Sequence, residues 1–64
     1  MNVFVNDETI TIFNGATVKD AIRAFCVQHN KKFPSSLPII EDRYGNSVAP
    51  DGELSEGNHL YIKI

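Results

Sequence analysis

MNVFVNDETITIF, residues 1–13, sets Val3 and Val5 before a polar centre and Ile10 and Ile12 after it, each pair at alternating positions. Period-two alternation in a run rich in Val, Ile, Thr and Phe reads as strand, and a short polar break between two such runs reads as a hairpin. Parity supports the pairing. Across a two-residue loop, odd positions on the first strand sit opposite even positions on the second, so all four aliphatics share one face. The break is Asn6-Asp7-Glu8, and Asp7-Glu8 is not one of the Gly-containing pairs favoured in such loops. The hairpin is expected and its turn type is left open.

Outward from the hairpin, Asn14-Gly15 closes the second strand with a pair suited to positive φ. Thr17, with Asp20 three residues on, approximates a capping box with Asp where Glu or Gln is commoner. Val18, Ala21, Ile22, Phe25 and Cys26, continuing to His29, follow at spacings of three and four. That is the apolar stripe of an amphipathic helix over residues 18–30, with Lys19, Asp20, Arg23 and Gln28 left to solvent. Asn30 reads as the stop, and Lys31 and Lys32 fall at the negative end of the helix dipole. Pro34 and Pro38 rule out continuation, so residues 33–38 read as a loop anchored by Phe33 or Leu37. Leu37–Glu41 reads as a short strand, Tyr44–Ser47 as a turn and Val48 as a brief return strand. Leu54, between Asp51-Gly52 and Glu56-Gly57, reads as the core anchor of a second loop. The last six residues, HLYIKI, put Leu60, Ile62 and Ile64 on one face and His59, Tyr61 and Lys63 on the other, the best strand pattern in the chain.

One helix and a set of strands in this order specify an α+β domain with the helix on one face of the sheet. A crossover after the helix lets the final strand lie parallel to the first. The whole chain of 64 residues makes one domain with one small core. Eight acidic against six basic residues give a net charge of −2, and binding to nucleic acid is not expected without a basic face. No long apolar run and no basic-then-apolar leader is present, so neither membrane insertion nor secretion is expected. The single cysteine cannot form an internal disulfide, which points to the cytoplasm.

The opening MNVFV, the Gly-Ala-Thr-Val-Lys-Asp-Ala stretch at residues 15–21 and the closing DGELSEGNHLYIKI resemble the β-grasp (ubiquitin-like) fold. Within it they most resemble small bacterial sulfur carriers, the ThiS-like and MoaD-like proteins of thiamine and molybdopterin synthesis. The resemblance spans the chain and implies a mixed sheet of four to five strands with one helix packed on one face, in the order ββαββ(β). Its motifs are structural, and such a fold hosts many roles. In the carriers a tail ending in Gly-Gly follows the last strand, and its terminal carboxylate is activated and thiolated. This chain ends in Lys63-Ile64, with Ile64 expected to be buried, so a carrier role is expected only if a Gly-Gly tail is supplied elsewhere. Plant-type ferredoxins share the fold but need four cysteines, where only Cys26 is present.

Cys26 and His29 lie three residues apart on the helix, a spacing that brings thiol and imidazole together. Cys26 also falls on the apolar stripe, where it reads as an inert core residue, and the pair supplies two ligands where zinc takes three or four. No catalytic residue, metal or cofactor is expected. Residues 33–64 carry five acids and two bases, which reads as a solvated loop surface or as an acidic edge that steers a basic partner. If the aliphatics turn toward the helix, Phe4 and Tyr61 turn away from it, and the β-grasp resemblance implies that their strands are neighbours, with Thr11, His59 and Lys63 around them and Phe13 at the margin. Grouped outward aromatics mark a binding surface, and ubiquitin-like proteins use this face for partners. The reading is a non-catalytic module that binds a protein partner through Phe4, Thr11, Phe13, His59, Tyr61 and Lys63.

Overall fold

β1 (Asn2–Val5) and β2 (Glu8–Thr11) pair antiparallel, with Val3 opposite Ile10 and Val5 opposite Glu8. The odd-to-even parity read from the sequence is the observed one. The turn is Asn6-Asp7 rather than Asp7-Glu8, and both its residues have positive φ, +50° and +68°. That is the primed turn whose twist matches a two-residue hairpin, and Asn and Asp are the non-glycine residues that best tolerate it. The computed structural model describes residues 1–64.

α1 (Val18–Gln28) starts at the reciprocal cap expected from Thr17 and Asp20. The Asp20 amide donates to Thr17 Oγ1, and the Thr17 amide donates to the Asp20 carboxylate. That backbone bond, chiefly, holds the Asp20 carboxyl below its ordinary range. The amides of Val18 and Lys19 donate to the carbonyls of Gly52 and Pro50, so the helix start is tied to the late loop. At the other end the helix stops two residues before the expected boundary. Asn30 sits at φ +54°, its amide bonds the Val27 carbonyl and the Lys31 amide bonds the Cys26 carbonyl. This is a Schellman stop with Asn in the left-handed position. His29 does not continue the apolar stripe: its ring leans on Phe25 at 4.4 Å and its Nε2 pairs with the Glu8 carboxylate at the head of β2.

The order of strands in the sheet is β2-β1-β3, with β3 (His59–Leu60) parallel to β1 as the crossover requires. Val3 and Val5 from β1, Ile10 from β2 and Leu60 from β3 face α1, whose Val18, Ala21, Ile22, Phe25 and Cys26 close the core with Ile40, Leu54 and Ile62. Cys26 is a buried core thiol, as its place on the stripe predicts. Phe33 and Leu37 both anchor their loop against this core. No helix is long and apolar enough to cross a membrane.

The protein is thus a small α+β domain with a three-stranded mixed sheet, and the further expected strands are present only as bridge positions. Of Leu37–Glu41, only Glu41 pairs, exchanging two backbone bonds with Tyr61 and bridging to Ser47; Val48 belongs to no strand. The reason is local. Pro38 has no amide to donate, and the Asp42 carboxylate accepts from the amides of Tyr44 and Asn46, bending the chain into a turn. HLYIKI is likewise shorter as a strand than its alternation predicts. β1 turns away at Asn6, so beyond Leu60 the β1 side offers no strand to pair with. The Asn6 side chain takes over: its Oδ1 accepts from the Ile62 amide and its Nδ2 donates to the Ile62 carbonyl, both at 2.9 Å. Ile64, expected in the core, is 37% exposed, and its carbonyl accepts from Lys31 Nζ.

Candidate functional site

The pleat that sends Val3 and Val5 into the core sends Phe4 to the opposite face. β3 lies beside β1 with His59 next to Phe4, and the two rings stack at 4.6 Å and 16°. Tyr61, two residues on and on the same face, continues the column at 6.5 Å from His59 and 17°. All three rings are half-buried. The Tyr61 hydroxyl donates to Asp7 Oδ1 at 2.9 Å, which fixes the end of the column to the hairpin turn.

That bond raises the Tyr61 phenol above its ordinary value of 10.0, because ionisation would set a phenolate against a carboxylate; Arg43 pulls weakly the other way. The raised value makes the contribution to stability complete below pH 10.0 and lost as pH rises through the folded-state value. Asp7→Asn keeps the left-handed turn and removes the charge. It is expected to bring Tyr61 back toward 10.0 in a phenolate absorbance titration, and an unchanged titration would place the cause elsewhere.

His59 Nδ1 is buried and has no hydrogen-bond partner, the one such side-chain atom in the chain. His59 also lines a cleft of about 320 Å³ with Asp42, Arg43, Tyr44, Val48, Gly57 and Asn58. Tyr44 is 79% exposed at its rim, and Arg43 is exposed and makes no ion pair. Asp42 stays ionised below the ordinary carboxylate range, chiefly because the Asn46 amide donates to it, and its role is to hold the turn. The cleft thus brings one ring of the stack, His59, together with an exposed tyrosine and a guanidinium that makes no ion pair.

No family model, curated protein or solved structure matches this chain.

Of the six residues expected on the face, the structure joins Phe4, His59 and Tyr61 in one column. Thr11 shares the outer face but sits opposite Asn2, to whose Oδ1 its hydroxyl donates at 2.8 Å. Thr9 is the residue across from Phe4. Phe13 lies past the end of β2, 62% exposed, in the turn closed by the Ala16 amide to the Phe13 carbonyl. Lys63 lines a separate groove with Pro38, Ile39 and Glu41. Arg43 and Tyr44 were missed, and their signal was an aromatic in a turn, Tyr44-Gly45, which a reading for turn chemistry alone passes over.

Proposed function

We propose that this chain is a small non-catalytic β-grasp domain of the ubiquitin-like, ThiS/MoaD type that binds a protein partner on the outer face of its sheet, in the cytoplasm. The fold reading is supported by the leading hairpin, the parallel last strand beside the first, and the Glu41–Tyr61 bridge where a fourth strand would lie. The buried, unpaired Cys26 suits a reducing compartment. The observation that carries the function is the orphaned His59 nitrogen inside the ring column. A buried polar atom without a partner costs about 1–3 kcal/mol, which an apolar ring in the same stack avoids. Sequences that forgo stability in this way do so mostly at functional sites.

Two variants separate folding from binding. His59→Phe is expected to raise the thermal midpoint by several degrees, at about 4–8 °C per kcal/mol for a domain this small, while weakening capture of the partner. Phe4→Ala removes the ring against which His59 stacks and is expected to weaken capture while lowering the midpoint. Capture that follows the midpoint in both variants overturns the proposal.

A second reading has one observation in its favour. Ile64 leaves the sheet, so the chain end stands clear of the core, as a sulfur carrier's tail attachment must. With a Gly-Gly tail supplied elsewhere, incubation with an activating enzyme, ATP and a sulfur donor would replace one terminal oxygen by sulfur. Intact mass decides it.

A further inference from the structure

The two edges of the sheet are treated differently. On the β3 side Glu41 exchanges both backbone bonds with Tyr61, closing that edge. On the β2 side nothing pairs. The bonds of Ile12 with Met1 fix the alternation: Ile10 and Glu8 also turn their backbone groups toward β1, so the amides and carbonyls of Thr9 and Thr11 point outward. Both residues are exposed. Edges of this kind are usually blunted by Lys, Pro or a bulge. Here the run Thr9-Ile10-Thr11-Ile12-Phe13 holds five good strand formers with no charge and no proline. The one charge at the head of the strand, Glu8, lies against the His29 imidazole of its own chain.

We infer that this edge pairs with the same edge of a second copy, antiparallel about a two-fold axis at Ile10, to form a continuous six-stranded sheet. A two-fold interface must be self-complementary, and Thr9-Ile10-Thr11 reads the same in both directions. Centred on Ile10, Thr9 meets Thr11 of the other copy and Thr11 meets its Thr9. All four outward groups of each strand are then used, without calling on Phe13, whose carbonyl is taken by Ala16. Ile10 meets Ile10 on the helix side. Glu8 falls opposite Ile12, so no like charges face each other, and two chains of net charge −2 approach along their uncharged edge. The edge borders the ring column, since Thr9 lies across from Phe4, but the inference rests on the backbone groups of β2 and not on the proposed binding face.

The test uses the whole chain. Sedimentation equilibrium of wild type is expected to show the mass rising with concentration from 7.1 kDa toward twice that value, with the Thr9 and Thr11 amides gaining protection from hydrogen exchange in step. Thr9→Lys with Thr11→Lys puts two lysine pairs across the axis and is expected to weaken association by about tenfold. Thr9→Lys with Thr11→Glu puts opposite charges across both pairs and is expected to restore it. Both double variants change exposed positions, and an unchanged circular dichroism spectrum shows that each is folded. Wild type that stays at 7.1 kDa at millimolar concentration overturns the inference. So does a lysine–lysine variant that associates as wild type, or a lysine–glutamate variant no better than it.

Discussion

Asn6→Ala is expected to lower the unfolding free energy by about 2–4 kcal/mol, from two sources that can be measured apart. Asn6 stands at φ +50°, and an alanine β-carbon there costs about 1–2 kcal/mol that asparagine partly escapes through local hydrogen bonding. Its side chain also makes the two 2.9 Å bonds to Ile62 that stand in for a missing strand partner. Each such bond contributes about 0.5–1.5 kcal/mol net, and more if the groups left behind stay buried. At about 0.05–0.15 kcal/mol per residue the whole domain holds on the order of 3–10 kcal/mol, so this loss is a large share. Asn6→Gly separates the sources, since glycine accepts the positive φ and loses only the clamp. Urea unfolding with an unchanged slope is the measurement. A glycine variant as stable as wild type would show that the Ile62 clamp contributes nothing.

The same residue shows where the sequence could be read and where it could not. Hairpin, helix and capping box are legible because each depends on contacts a few residues apart or on a period, and the parallel last strand because the helix imposes a crossover. Thr17 and Asp20 need only each other. The length of the last strand depends on where its neighbour ends. Asn6 ends β1, and nothing inside HLYIKI records that. Leu37–Glu41 is short for a local reason: Pro38 has no amide to donate and the Asp42 carboxylate bends the chain into a turn, neither of which aliphatic content registers. On the outer face, parity together with the strand order implied by the β-grasp resemblance places Phe4, His59 and Tyr61 together. It could not place Phe13, Lys63 or Tyr44, whose positions follow from turns rather than pleats. The orphaned nitrogen of His59 is not legible in the sequence, since burial without a partner is a property of the folded packing around it.

Ile22→Ala is expected to cost more than any surface change, about 2–5 kcal/mol, enough to leave a large unfolded fraction at ordinary temperature. Ile22 is 0% exposed and lies mid-way along α1 on the face that meets the sheet. Alanine is the better helix former by a few tenths of a kcal/mol, so any loss observed is packing and not propensity. Ile22→Val removes one methylene and is expected to cost about 0.5–1.5 kcal/mol. The ordering Ala, then Val, then wild type, read from urea midpoints, is the check; equal losses in both variants would mean that the cavity collapses and the helix seats loosely. The pair also probes how the two faces of the sheet communicate. α1 touches only the inner face, and the Phe4–His59–Tyr61 column occupies only the outer one. A core defect therefore reaches the column through the folded fraction alone. In Ile22→Val, which stays folded, the raised titration of Tyr61 against Asp7 should be unchanged. A shift of that titration in a folded core variant would show that the single layer of backbone between helix and rings transmits strain, and that the outer face is shaped by the packing beneath it.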